Sequence, residues 1–437
     1  MGYSWPWARG KETNWAGGGG FGGLNRGRPR RTVLEGSGLR RGVLAMAAKS
    51  QITFVISGYY GFDNIGDEAV LAALLQQLRC LAPGCRAIVL SGDPAGTAAE
   101  HGVEAVCSRD LKAVGRALRQ GTVFISGGGT LFQDTTSSRS LYYYLMMIAA
   151  ARAYRLPVVI YGQGIGPLSS RWNRLLTRQV LQLASLVIVR DREAYQELRT
   201  WGFDETRLCL GADPVISLRA EPGGHLGSDQ GGRSQEPGSL LRRGLGDRFL
   251  PGRPVLLVSL RPWPLLDASL PAIAAALDQL VRRAWQVVFI PFQFSADYPV
   301  CRRCADWMEE AAFVWPEALD VQEAFALFGE ADYCLGMRLH ALIFAAVHRV
   351  PMLGLVYDPK VASFLQELGL PEAALHLPPV EGRTLDGRDL LVGLQHLEAE
   401  RKRLSRQIGV KTEEMAARLA AANSRLQEQL APVGVKE

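Results

Sequence analysis

From residue 51 onward, short apolar runs alternate with stretches of helical period, and that alternation limits the chain to βα units built around a parallel sheet. Strands are expected at 51–57 (QITFVIS), 86–90, 122–126 (TVFIS), 157–161 (PVVIY) and 186–189, with helices at 66–79, 139–154, 171–184 and 192–201. A second series follows, with strands near 254–260, 286–291, 332–335 and 351–356 and helices at 268–284, 320–330, 339–348 and 361–368. The stretch 221–252 holds nine glycines and three prolines, too many for either element, and reads as a linker or inserted loop. At 437 residues the chain exceeds what one core usually supports, so two α/β halves facing a cleft are expected. A charged helix over roughly 393–430, with one apolar stripe, is placed to pack across both halves.

The net charge of +6 suggests nucleic acid until it is located along the chain. Residues 1–48 carry eight Arg or Lys against two acids, and the other 41 basic and 41 acidic residues cancel. A basic nucleic-acid face therefore has no support from the folded part. The first 48 residues are Gly-, Arg- and Trp-rich without period, which predicts a disordered tail; translation starting at Met46 would account for it. Seven cysteines form no disulfide framework and imply reduced thiols in a cytoplasmic protein. The one CxxC, Cys301 and Cys304, has no second pair to complete a zinc site and reads as one helix face. No secretory signal is recognisable, and the longest apolar run, from Leu141, stops at Arg152. At most, peripheral association at the inner face of the plasma membrane is expected.

In open parallel sheets ligands sit beyond the carboxyl ends of the strands, so the residues just after each strand are the candidates. After the first strand, SGYYGFDNIGDEAV (57–70) places Gly58, Tyr59, Asp63, Asn64, Asp67 and Glu68 around a helix start, acceptors suited to sugar hydroxyls. After 122–126, SGGGTLFQD offers Gly128 and Gly129 as a backbone surface at a turn. After 157–161, GQGIGP aims Gln163 at the cleft, and VIVRD sets Arg190 at the end of its strand beside Asp191. The strongest cluster is ADYCLGMRLHALIFAA (331–346), a strand entering a helix whose first turn carries Arg338 and His340. One αβ unit later, Lys360 in VYDPK returns to the same sheet edge. Two cations, an imidazole and a helix N-terminus, with no acid cluster among them, favour a bound anion.

Taken together, GYYGFDNIGDEAV, SGGGTLFQD, YGQGIGP, VIVRD, GADPV, SLRPW, GMRLHALIFA and VYDPK resemble the polysaccharide pyruvyl transferase family, from residue 57 to about 365. The resemblance implies an α/β, GT-B-like pair of Rossmann-type doubly wound domains: 49–220 on the acceptor side, 253–392 on the donor side, the 221–252 linker between them, and a C-terminal helix and tail over 393–437. It implies phosphoenolpyruvate as donor, a saccharide or lipid-linked saccharide as acceptor, and neither metal nor cofactor. The family's functional arginine, histidine and lysine fall on Arg190, His340 and Lys360, with Arg178 a competitor for the first. Arg338, Lys360, Arg190 and His340 would hold the donor, His340 would act as general acid, and Asp63, Asp67 or Glu68 would take the hydroxyl protons. A nucleotide-sugar glycosyltransferase of the same architecture and an inactive sugar-binding scaffold remain the alternatives.

Overall fold

Two sheets, each parallel throughout, carry the chain in a computed structural model that describes residues 51–135, 137–219, 239–264, 266–377 and 385–431. The expected tail, Met46, and residues 221–238 of the expected linker lie outside the described residues. The first sheet contains β1 (Thr53–Ser57), β2 (Arg86–Ser91), β3 (Glu104–Cys107), β4 (Val123–Phe132), β5 (Val158–Ile165), β6 (Leu186–Val189) and β7 (Leu208–Leu210). The second contains β8 (Val255–Ser259), β9 (Gln286–Phe289), β10 (Phe313–Val314), β11 (Tyr333–Gly336), β12 (Met352–Val356) and β13 (Ala374–His376). Their orders are β3-β2-β1-β4-β5-β6-β7 and β10-β9-β8-β11-β12-β13. Each sheet thus reverses direction once, between β1 and β4 and between β8 and β11, and is doubly wound. Every expected strand is present because its residues are buried on both faces: β1, β6, β8 and β12 are buried at every position.

Three expectations change. The glycine run after 122–126 is not a turn: β4 continues through it to Phe132, and β5 continues through Gly162 to Ile165, pairing Gly129 with Gln163 across a register shift. Gly128 has φ +30° and a Cβ there would lie 1.8 Å from Val70, so the glycines serve a bulged strand pressed against the first helix, Ile65–Leu81. Second, a helix, Ser239–Leu245, stands inside the expected loop, with the Leu240 and Leu241 N–H groups donating to the Glu330 carboxylate at 3.0 and 2.9 Å. Third, the C-terminal helix is two helices, Gly387–Ala399 and Arg401–Leu430.

The last helix spans both halves, as its apolar stripe suggested. Leu404, Ile408, Met415, Leu419, Leu426 and Leu430 share its buried face. Thr412 Oγ1 donates to Ala346 O in the second half, whereas Asn423 accepts from the Tyr161 hydroxyl at 2.7 Å and donates to Gln77 at 2.8 Å in the first. The halves also meet directly: Ile65 N donates to Phe292 O at 2.9 Å, beside an antiparallel bridge between Asn64 and Gln293. Cys301 and Cys304 lie fully buried on one face of the helix Phe294–Trp307, and burial pushes both thiols up, the state of inert core cysteines. Among the described residues no helix is long and apolar enough to cross a membrane.

Candidate functional site

The site forms where the two reversal points face each other. From β11 the chain passes Met337 and Arg338 into the helix Leu339–Val347, which sets His340 in its first turn. From the adjacent β12 it enters Pro359–Glu367, capped by Asp358, and sets Lys360 at the same sheet edge. On the facing side, the helix Ile65–Leu81 begins at Asn64, whose side chain accepts from Gly66 N at 3.1 Å. A Cβ on Gly66 would lie 2.2 Å from His340 Nδ1, so the imidazole of one half packs directly against the other half's backbone and no side chain fits between.

Behind the imidazole runs a chain of charges. His340 Nε2 is buried without a hydrogen-bond partner, 3.6 Å from Asp213 Oδ2. Arg190 Nη1 donates to the same oxygen at 3.2 Å, Arg190 Nη2 donates to Thr130 Oγ1 at 2.7 Å, and Nε stands 3.6 Å from Asp191. Arg190 and Asp213 are 7% and 5% exposed, so the pair is shielded from solvent screening. Burial alone would raise the Asp213 carboxyl, but His340, Arg190 and the Val215 N–H outweigh it and hold it below the usual carboxylate range. Asp67, bonded by Asn64 Nδ2, has the opposite balance. Burial pushes it up to about 6 although His340, Arg338 and Lys360 all favour its charged form.

Two expectations about the site are overturned. The cations do not gather without acids, because Asp213, Asp67 and Asp297 are brought to them from distant parts of the chain. A buried charge needs such a partner. Arg338 in particular is already engaged: Nε and Nη2 clasp the fully buried Asp297 carboxylate at 2.9 and 2.6 Å, and Nη2 also donates to Gln293 at 3.2 Å. Asp297 additionally accepts from the Phe292 and Gln293 N–H groups, so this guanidinium braces the loop after β9. Gln163, expected to face the cleft, is wholly buried; its amide accepts from Leu131 N and donates to Ser126 Oγ and Gly127 O, tying the bulged ends of β4 and β5 together.

The remaining first-half residues divide. Tyr59 is half-buried and stacked on Phe62 with ring centroids 4.4 Å apart, and Asp63 is exposed with φ +53°. Gly129 lies against Asp67, while Gly58 is covered by the Tyr60 ring. Glu68 turns away from His340 to accept from Gly61 N at 2.7 Å and to meet His101 at 3.2 Å. With Glu100 these two are the one trio among the described residues whose ligand atoms approach closely enough to hold a metal ion, and neither His340, Arg190 nor Lys360 belongs to it. Arg178 is exposed on the last turn of Arg171–Leu181, at the opposite sheet edge, which leaves Arg190 as the arginine beside His340.

Asp213 and Asp297 were not among the expected site residues, and neither was a third charged residue. Arg261, two positions beyond β8, donates from Nη1 to the Tyr357 hydroxyl at 2.9 Å, its guanidinium carbon 4.8 Å from that ring's centroid. Lys360 Nζ lies 5.8 Å from the same centroid, and Trp263 packs on the ring at 5.0 Å. The rule that singled out Arg190 and His340, position just past a strand, would have found it.

Fold and site together define a two-domain, GT-B-like enzyme with a polar centre between facing Rossmann-type sheets. The polysaccharide pyruvyl transferase family profile matches residues 64–359, and the chain belongs to that family: it is a transferase acting on a saccharide acceptor. No curated protein matches the sequence. Among solved structures, a glycosyltransferase from Rickettsia africae is similar at 9% identity and TM-score 0.56, covering 89% of this chain and 100% of that one. HepE of Anabaena, in complex with UDP and glucose, is similar at 12% identity and TM-score 0.56, covering 87% of this chain and 100% of that one. A UDP-GlcNAc 2-epimerase from Neisseria meningitidis, bound to UDP-GlcNAc, gives 10% identity and TM-score 0.52 over 85% of this chain and 100% of that one. At these identities the likeness is one of fold.

Proposed function

We propose that the protein moves the enolpyruvyl unit of phosphoenolpyruvate onto two hydroxyls of a sugar in a cell-surface polysaccharide precursor, closing a cyclic pyruvate ketal and releasing phosphate. The observation that carries this reading is His340, held between Asp213 and Gly66 at the meeting of the two halves and backed by Arg190. In this mechanism the imidazole, steadied at Nε2 by Asp213, protonates the methylene carbon of the donor. The adjoining carbon becomes electrophilic and one sugar hydroxyl adds, losing its proton. The carbon–oxygen bond to phosphate then breaks, and the second hydroxyl adds and loses its proton to close the ring. Asp67, half-buried beside His340 and with its carboxyl pushed up to about 6 by burial, suits the role of proton acceptor better than Glu68, which faces His101. The reaction would run inside the cell on a precursor at the inner membrane face.

The UDP and UDP-sugar complexes of the structural neighbours favour nucleotide-sugar transfer as a second reading. The two separate by substrate. Full-length protein with acceptor should release phosphate from phosphoenolpyruvate and add one pyruvate ketal per modified sugar by mass, and should leave UDP-sugars intact. His340→Ala should lower phosphate release by about a hundredfold or more, the scale of a lost general acid, with thermal unfolding confirming that the variant still folds; turnover within tenfold of the parent removes His340 from that role.

A further inference from the structure

We propose that Arg261 and Lys360, set against the ring of Tyr357, form the subsite that grips the phosphate group of the donor. The inference deepens the pyruvyl-transfer reading and rests on it for the identity of the ligand. It begins from elimination. Of the guanidinium groups past the inner, non-edge strands, Arg190 is bound to Asp213 and Thr130, and Arg338 to Asp297 and Gln293. Each is neutralised by a buried carboxylate. Arg261 makes one hydrogen bond, to a neutral phenol, and its Nε is buried with no partner. An ionised donor buried and unsatisfied is rare in a folded protein unless a ligand completes it.

Position supports the assignment. Arg261 follows β8, one of the two strands flanking the reversal point of the second sheet, where ligands of doubly wound sheets sit. Tyr357, immediately after β12, brings it into company with Lys360, and Trp263 fixes the ring. Lys360 is 31% exposed and pairs with the part-exposed Asp358 at 3.3 Å, a contact open to solvent rather than a buried neutralising pair. A phosphate group carries up to two negative charges and calls for two cations with donors to spare, which this pair offers and the neutralised Arg190 and Arg338 do not.

The test uses full-length protein and two probes, inorganic phosphate and phosphoenolpyruvate, each titrated calorimetrically. Arg261→Met should weaken both by roughly tenfold or more, the worth of a charge-assisted bond to phosphate. Arg261→Lys, which keeps the charge but not the planar fork, should fall between, with thermal unfolding confirming that both variants fold. Arg178→Met should bind as the parent does. Parental phosphate affinity in either Arg261 variant, or no phosphate binding by the parent, overturns the subsite. Phosphate binding that depends on Arg261, together with no turnover of phosphoenolpyruvate, keeps the subsite and sinks pyruvyl transfer instead.

Discussion

Gly66 shows how one residue without a side chain sets the geometry of the centre. Its hydrogen is what lets His340 touch the opposite half, and Gly66→Ala should push the ring aside and reduce phosphate release by about tenfold or more, as misplaced catalytic groups do. A turnover equal to the parent's would mean that the contact has no part in catalysis. The two flanking carboxyls make opposite contributions to stability with pH. Asp67 at about 6 holds its proton more tightly folded than unfolded, where the ordinary value is about 3.9, so its share of stability declines as pH rises through that interval. Asp213 is held low, so its share is present above the unfolded value and is lost as pH falls through the folded one. Asp67→Asn should therefore flatten the fall in melting temperature between pH 4 and about 6, and parallel curves for variant and parent would refute the assignment. His340, Arg190 and Lys360 were legible as candidates because each follows a strand. Asp213 stood in a recognised motif without a role, since nothing local reveals that a carboxylate 127 positions before His340 lies 3.6 Å from it.

The Arg338–Asp297 clasp belongs to the scale of elements, because it ties the start of one helix to the start of another. Removing one partner of a buried ion pair leaves the other uncompensated and costs about 3–5 kcal/mol. Asp297→Ala should destabilise the protein by that order in urea unfolding, and the double change Arg338→Met with Asp297→Asn, which keeps an acceptor for the Phe292 and Gln293 N–H groups, should recover most of it. If the double variant is no more stable than Asp297→Ala, the pair is not the source of the loss. The strands that sequence reading found are the largely apolar inner ones. Those it missed, β3, β7, β10 and β13, are edge strands of two to four residues whose pairing depends on a neighbour rather than on their own composition. The glycines of β4 and β5 misled for a related reason: a run of glycines permits a turn, but pairing to the next strand and the press of Val70 decide that it becomes a bulged strand.

For the whole molecule, the helix Arg401–Leu430 is the strap. It begins on the second half and ends on the first, with Asn423 buried between Tyr161 and Gln77. Asn423→Ala should leave those two partners unsatisfied and cost about 1–3 kcal/mol. Ending the chain after Glu400 should go further and split one cooperative unfolding transition into two, visible by calorimetry as a second peak; a single unshifted transition would show that the strap does not couple the halves.

By itself the sequence determined the class of fold, since apolar runs of strand length between helical periods leave few arrangements other than parallel sheets. It also placed the chemistry at the strand ends, because topology puts every such residue on one edge. Only the tertiary structure decided which charges remain free for a ligand. That outcome depends on carboxylates arriving from remote segments, which engage Arg338 and Arg190, and on an aromatic ring that leaves Arg261 with a donor to spare.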